Sequence, residues 1–166
     1  MITDRTGRLV DEMMPLEHAC LHRTVRENIV PTLQMVLARG NWQTLVPALP
    51  LAATPADVAY AISTAIATGI LSDARLAGVV SLVAEDTVVT DLLDDDLPAE
   101  RGLALGTMDR WAAGEALAYQ VEYADVVVTM TEGDAQSRPL LQHMVAPTTQ
   151  LHLCLLYTSP SPRDRS

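Results

Sequence analysis

The chain has 166 residues, of which 49% are hydrophobic, so it is long enough for one proper core and too apolar for a disordered chain. A formal charge of −10, from 21 acidic against 11 basic side chains, opposes binding to phosphate backbones and excludes nucleic acid as an expected partner. Acidic or Arg residues interrupt every apolar run short of the roughly 18 residues that span a bilayer, and no secretory layout opens the chain, so no membrane contact and a cytoplasmic setting are expected.

Arg8 to Met14 alternates weakly and reads as a short strand or a loop ending at Pro15, which cannot donate to a central ladder. From Thr24, the residues Val25, Ile29, Leu33, Val36 and Leu37 recur at helical spacing, with Pro31 near the first turns and Arg39-Gly40 as the stop. Thr44 to Leu49 is a short apolar run broken by Pro47 and Pro50. Thr54 then supplies an N-cap with Pro55 at the first helical position, opening a helix that runs to Thr68 and stops at Gly69.

Leu76 to Ala84 is continuously apolar, as suits a strand buried on both faces of a parallel sheet, and Asp86 to Leu93 follows as a helix. Met108 to Tyr123 reads as the longest amphipathic helix, with Trp111, Leu117 and Val121 to one side. Val126 to Met130 is a second buried-type strand, Asp134 to Met144 a helix interrupted by Pro139, and Thr149 to Leu153 the start of a final strand. Strands alternating with helices call for right-handed βαβ units, so the expected fold is α/β with a mostly parallel sheet and flanking helices.

His18, Cys20 and His22 place three nitrogen and sulfur donors within five residues, a set that suits zinc or cobalt. Their i, i+2, i+4 spacing cannot share one helical face, but a loop before the helix could wrap a metal. The same residues are also compatible with a loop Cys and two surface His that bind nothing. The acidic run Asp91, Asp94, Asp95, Asp96 and Glu100 reads as a solvated loop or helix end, and Asp109, Arg110, Glu115 and Glu122 as a solvated helix face. His143 and His152 have no nucleophile frame beside them and read as surface or packed histidines.

Two segments carry a family resemblance. His18-Ala19-Cys20-Leu21-His22-Arg23-Thr24-Val25-Arg26-Glu27-Asn28 resembles the His-Gly-Cys-x-Cys-Cys-Thr-x-Arg-Glu-Asp segment of the CobW-type GTPases, the metallochaperone branch of the P-loop NTPases. Gln120-Val121-Glu122-Tyr123-Ala124-Asp125 resembles the helix end that leads into their guanine-reading strand. The resemblance implies a P-loop NTPase domain over residues 1–153, zinc or cobalt handling for a client metalloprotein, and GTP with magnesium as the family's cofactors.

Cys20 keeps the first thiol position, while His22 and Arg23 stand at the second and third, and an Arg there repels a divalent cation. The Asn-Lys-x-Asp motif falls on Met130-Thr131-Glu132-Gly133, with neither its Asn nor its Lys, and the Glu-x-x-Gly element falls on Leu49-Pro50-Leu51-Ala52. All eleven basic residues are Arg, so the P-loop Lys is absent and the chain as it stands cannot hydrolyse GTP in the ordinary way. The alternative is a non-catalytic α/β binding or regulatory module of the same family.

Residues 154–166, from Cys154 onward, resemble one reading frame of a transposase adapter and are expected to be a non-native, disordered tail. Without the tail, Cys20 is the only cysteine, which fits a reducing compartment. The first strand and P-loop of the family find no counterpart before His18, so the sheet is expected to lack that portion and to self-associate through an exposed edge.

Overall fold

The computed structural model describes residues 2–3, 9–10, 21–40, 42–51, 53–97, 100 and 112–154. A two-residue strand β1 (Ile2–Thr3) pairs antiparallel with β2 (Leu9–Val10), which lies inside the Arg8 to Met14 stretch. Helix α1 (Leu21–Ala38) begins three residues before the expected Thr24 and runs straight past Pro31. Pro31 therefore sits in mid-helix rather than near the first turns. Its ring faces solvent, and the missing N–H costs one backbone bond that the packed apolar face of the helix outweighs.

The end of α1 is closed by a side chain. The Trp42 indole N–H donates to the Val36 carbonyl at 2.7 Å, joining the Arg39 amide at 3.1 Å on one of the last carbonyls of the helix. The apolar run of residues 44–50 forms no strand, because Pro47 and Pro50 remove ladder donors. Helix α2 (Pro55–Ala67) starts on its proline as expected. Gly69 ends it at φ +80°, a conformation only glycine adopts without cost, and the Gly69 and Leu71 amides return to the Ile66 and Ala65 carbonyls.

α1 and α2 form a helical hairpin around Ile29, Ala53, Val58, Ile62, Ala65 and Leu71. The second half of the chain is a three-stranded all-parallel sheet in the order β3 (Val80–Val83), β4 (Val126–Thr129), β5 (Gln150–Leu153). Register pairs Val80 with Val126 and Val126 with Gln150. α3 (Val88–Leu93) and α4 (Ala113–Tyr123) lie between β3 and β4, and α5 (Ser137–Met144) lies between β4 and β5. With strand order equal to chain order, right-handed crossovers send all three helices to one face. There Val83, Val88, Val121, Val127 and Leu141 form a second core.

The other face corrects an expectation. Leu76 to Ala84 does not form a strand buried on both sides: Ser81 and Val83 are buried, but Val80 and Leu82 are 59% and 68% exposed. β4 follows the same alternation, with Val127 and Thr129 buried and Val126 and Val128 half-buried. α4 is also shorter than α1 over the described residues, with Met108 to Trp111 lying outside them. Pro139 does not interrupt α5, because it stands in the first turn, where the N–H it lacks would have no intrahelical acceptor. No helix among the described residues is long and apolar enough to cross a membrane.

Candidate functional site

Open α/β sheets bind ligands beyond the carboxyl ends of their strands. Here β3 runs out into Ala84-Glu85-Asp86 and β4 into Met130-Thr131-Glu132-Gly133-Asp134. Glu85 is 3% exposed. Its Oε1 lies 3.3 Å from Nε of Arg138 on α5, whereas its Oε2 is buried without a hydrogen-bond partner among the described residues. Beside it, the Thr131 hydroxyl donates to Oδ1 of Asp86 at 2.6 Å and accepts the Asp86 amide at 3.3 Å, stitching the two strand exits together.

Asp134 organises the start of α5. One oxygen, Oδ1, accepts the amides of Gln136 and Ser137 at 2.9 Å each and the Ser137 hydroxyl at 2.8 Å. The Gln136 amide first, then the Ser137 hydroxyl and amide, hold its carboxyl below the usual range for aspartate. Gly133 closes the cluster by lacking a side chain. A Cβ there would stand 2.5 Å from Cβ of Ser137 and 2.7 Å from both Cγ and the carbonyl oxygen of Glu85. This glycine is required by close approach, since its φ is not in the left-handed region.

His18 and Cys20 lie outside the described residues, and His22 is the second residue of α1. The Met130 to Gly133 segment forms the loop from β4 towards α5, at the carboxyl edge. Of the Leu49 to Ala52 segment, Ala52 lies outside the described residues, and Leu51 is tied to α4, where the Gln120 amide donates to the carbonyls of Leu51 and Ala53 at 3.0 and 2.8 Å. Asp109 and Arg110 are outside the described residues, Glu115 accepts the Ala112 amide at 3.2 Å, and Glu122 is exposed. His143 and His152 are exposed, as surface histidines should be.

Among the described residues, one group of metal-competent side chains converges: the carboxylates of Asp94, Asp95 and Asp96 lie within 4.8 Å of one another. Oδ1 of Asp94 accepts the Asp96 amide at 2.9 Å, as in an ordinary Asx turn, and an all-oxygen set suits a hard cation rather than zinc. A hollow of about 190 Å³ opens between Leu51, Leu82, Ala84, Asp91, Ala113 and Leu117. That is below the roughly 300 Å³ where small-molecule pockets begin. Its one carboxylate, on Asp91, already accepts the Thr87 hydroxyl at 2.7 Å.

Sequence reasoning did not single out Glu85, Arg138, Asp134 or Ser137. Glu85-Asp86, placed directly after an apolar strand run, was the available signal, because a carboxylate at a strand exit is where α/β proteins put functional groups. The architecture so defined is an α/β protein with an open parallel sheet. No protein-family model, no curated protein and no solved structure matches this chain.

Proposed function

We propose that this chain is a CobW-related, P-loop-NTPase-like α/β module for handling zinc or cobalt that does not itself hydrolyse GTP. The observation that carries the reading is the placement of Gln120 to Asp125. This segment closes α4 at Tyr123 and delivers the chain into the parallel strand β4, so that the loop after it lies on the carboxyl edge. The family's helix end and guanine-reading strand stand in the same order.

Loss of hydrolysis follows from the residues. The chain has no lysine to reach a nucleotide's phosphates, and Gly133 puts no carboxylate at the base-reading position. Leu49 to Ala52 likewise supplies no group for magnesium, so phosphoryl transfer lacks its polarising ion. Cys20, with His18 and His22, supplies the donors for zinc or cobalt, and the partner is a client metalloprotein in a reducing, cytoplasmic setting.

The test is a zinc titration of the full chain against a competing chelator, with Cys154→Ser as the control for the second thiol. Stoichiometric binding that survives Cys154→Ser and falls at least about tenfold in Cys20→Ala is expected, since outer or inner donors of a metal site typically carry that much. GTP turnover stays at the buffer rate. Absence of zinc and cobalt binding would overturn the metal-handling reading and leave the non-catalytic binding module.

A further inference from the structure

Glu85 is the one charged residue among those described that is buried, and its Oε2 has no partner. A carboxylate has about four lone-pair sites, so a single contact from Arg138 leaves most of its capacity unused in a place water does not reach. Buried polar atoms left this way point to a missing donor. The Cγ and carbonyl oxygen of Glu85 pack against Gly133, whose chain neighbours Glu132 and Asp134 are exposed, as is Asp86 next to Glu85 in the chain. Four carboxylates against one guanidinium attract a cation and repel phosphates and carboxylates.

The donor geometry narrows the class of cation. No group of three metal-competent side chains converges here among the described residues, and Arg138 repels a bare ion. A guanidinium is different, because its planar N–H fork can serve both oxygens of a carboxylate at once. Glu85 already receives one such donor from Arg138, whose side chain is 31% exposed and can swing into water at little cost.

We propose that the carboxyl edge of the sheet binds the guanidinium of an arginine side chain in a partner peptide, with Glu85 as its acceptor and Arg138 as the resident group it displaces. This site is independent of the metal centre, since it uses none of His18, Cys20 or His22.

The experiment is calorimetric titration of the full chain with acetyl-arginine amide at fixed ionic strength, alongside acetyl-lysine amide and free arginine. Saturable binding at one site is expected, with acetyl-lysine amide clearly weaker. Arg138→Gln, which removes the resident competitor, tightens binding by about fivefold, the upper range for a partly exposed ion pair. Glu85→Gln abolishes it, and if that variant does not fold, the Arg138→Gln arm decides alone. Free arginine, whose own carboxylate meets the acidic rim, binds more weakly if the ligand is a peptide side chain and equally if it is the free molecule. Unsaturable binding, equal affinity for the lysine derivative, or unchanged or weaker binding in Arg138→Gln would overturn the proposal.

Discussion

The two halves of the molecule are packed on different terms. Among the described side chains the buried core of the α1–α2 hairpin is aliphatic, whereas Ser81, Glu85, Thr129 and Ser137, the buried polar and charged residues among those described, all belong to the sheet half. A buried polar group needs a partner or costs stability, so the hairpin can be optimised for packing while the sheet half accommodates groups that packing alone would not select. Three of the four polar residues stand at or beyond strand exits or at the start of α5, where a ligand would arrive. The hairpin thus reads as support, and the carboxyl edge as the working surface.

The strongest way to break this comparison is to fill the space at Gly133. Gly133→Ala forces a Cβ to within 3.0 Å of both a side chain and a backbone oxygen, and the backbone cannot yield as a flexible side-chain tip would. Overpacking of this kind costs about 3 kcal/mol. Urea denaturation should show the loss, with amide exchange accelerating in β3, β4 and α5 before it does in α1 and α2. Uniform acceleration across both halves would mean that they are one cooperative unit.

How far the sequence foretold this division differs by residue. The hairpin was legible because Pro55 and Gly69 mark the bounds of α2 chemically, and because Ile29, Leu33, Val36 and Leu37 carry the helical period. Parallel order followed from the alternation of strands and helices. The bare face of β3 was not legible, since Val80-Ser81-Leu82-Val83 reads as apolar throughout and only the crossover geometry decides which alternate side chains are covered. The passage of α1 through Pro31 was legible from the same period, and only its start, three residues before Thr24, was not, because no capping residue marks it. The site was least legible, because Glu85 and Arg138 are far apart in sequence and neither belongs to a motif.

Gln120 offers a sharper probe of the boundary itself. Its side-chain amide spans from α4 to the carbonyls of Leu51 and Ala53, the clearest polar tie between the sheet half and the chain entering α2. Gln120→Ala leaves these part-buried acceptors unserved and costs about 1.5 kcal/mol. If the halves are separable, the denaturation curve splits into two transitions that differ by probe. A single shifted transition would instead assign the coupling to the remaining approach of α2 to α4.

The smallest expected effect is a pH dependence confined to the sheet half. Because backbone and hydroxyl donors hold the Asp134 carboxyl below its ordinary value, the folded state binds the proton less readily than the unfolded chain does. The stabilisation is complete above the ordinary aspartate range of about 4 and fades as pH falls through the lower folded value. Asp134→Asn should flatten the acid limb of the stability curve below about pH 4 while leaving the neutral plateau only slightly lower, because an Asn oxygen can still accept the Gln136 and Ser137 amides. An acid limb unchanged by the substitution would move the titrating group elsewhere, and exchange measured in α5 against α2 would show in which half it lies.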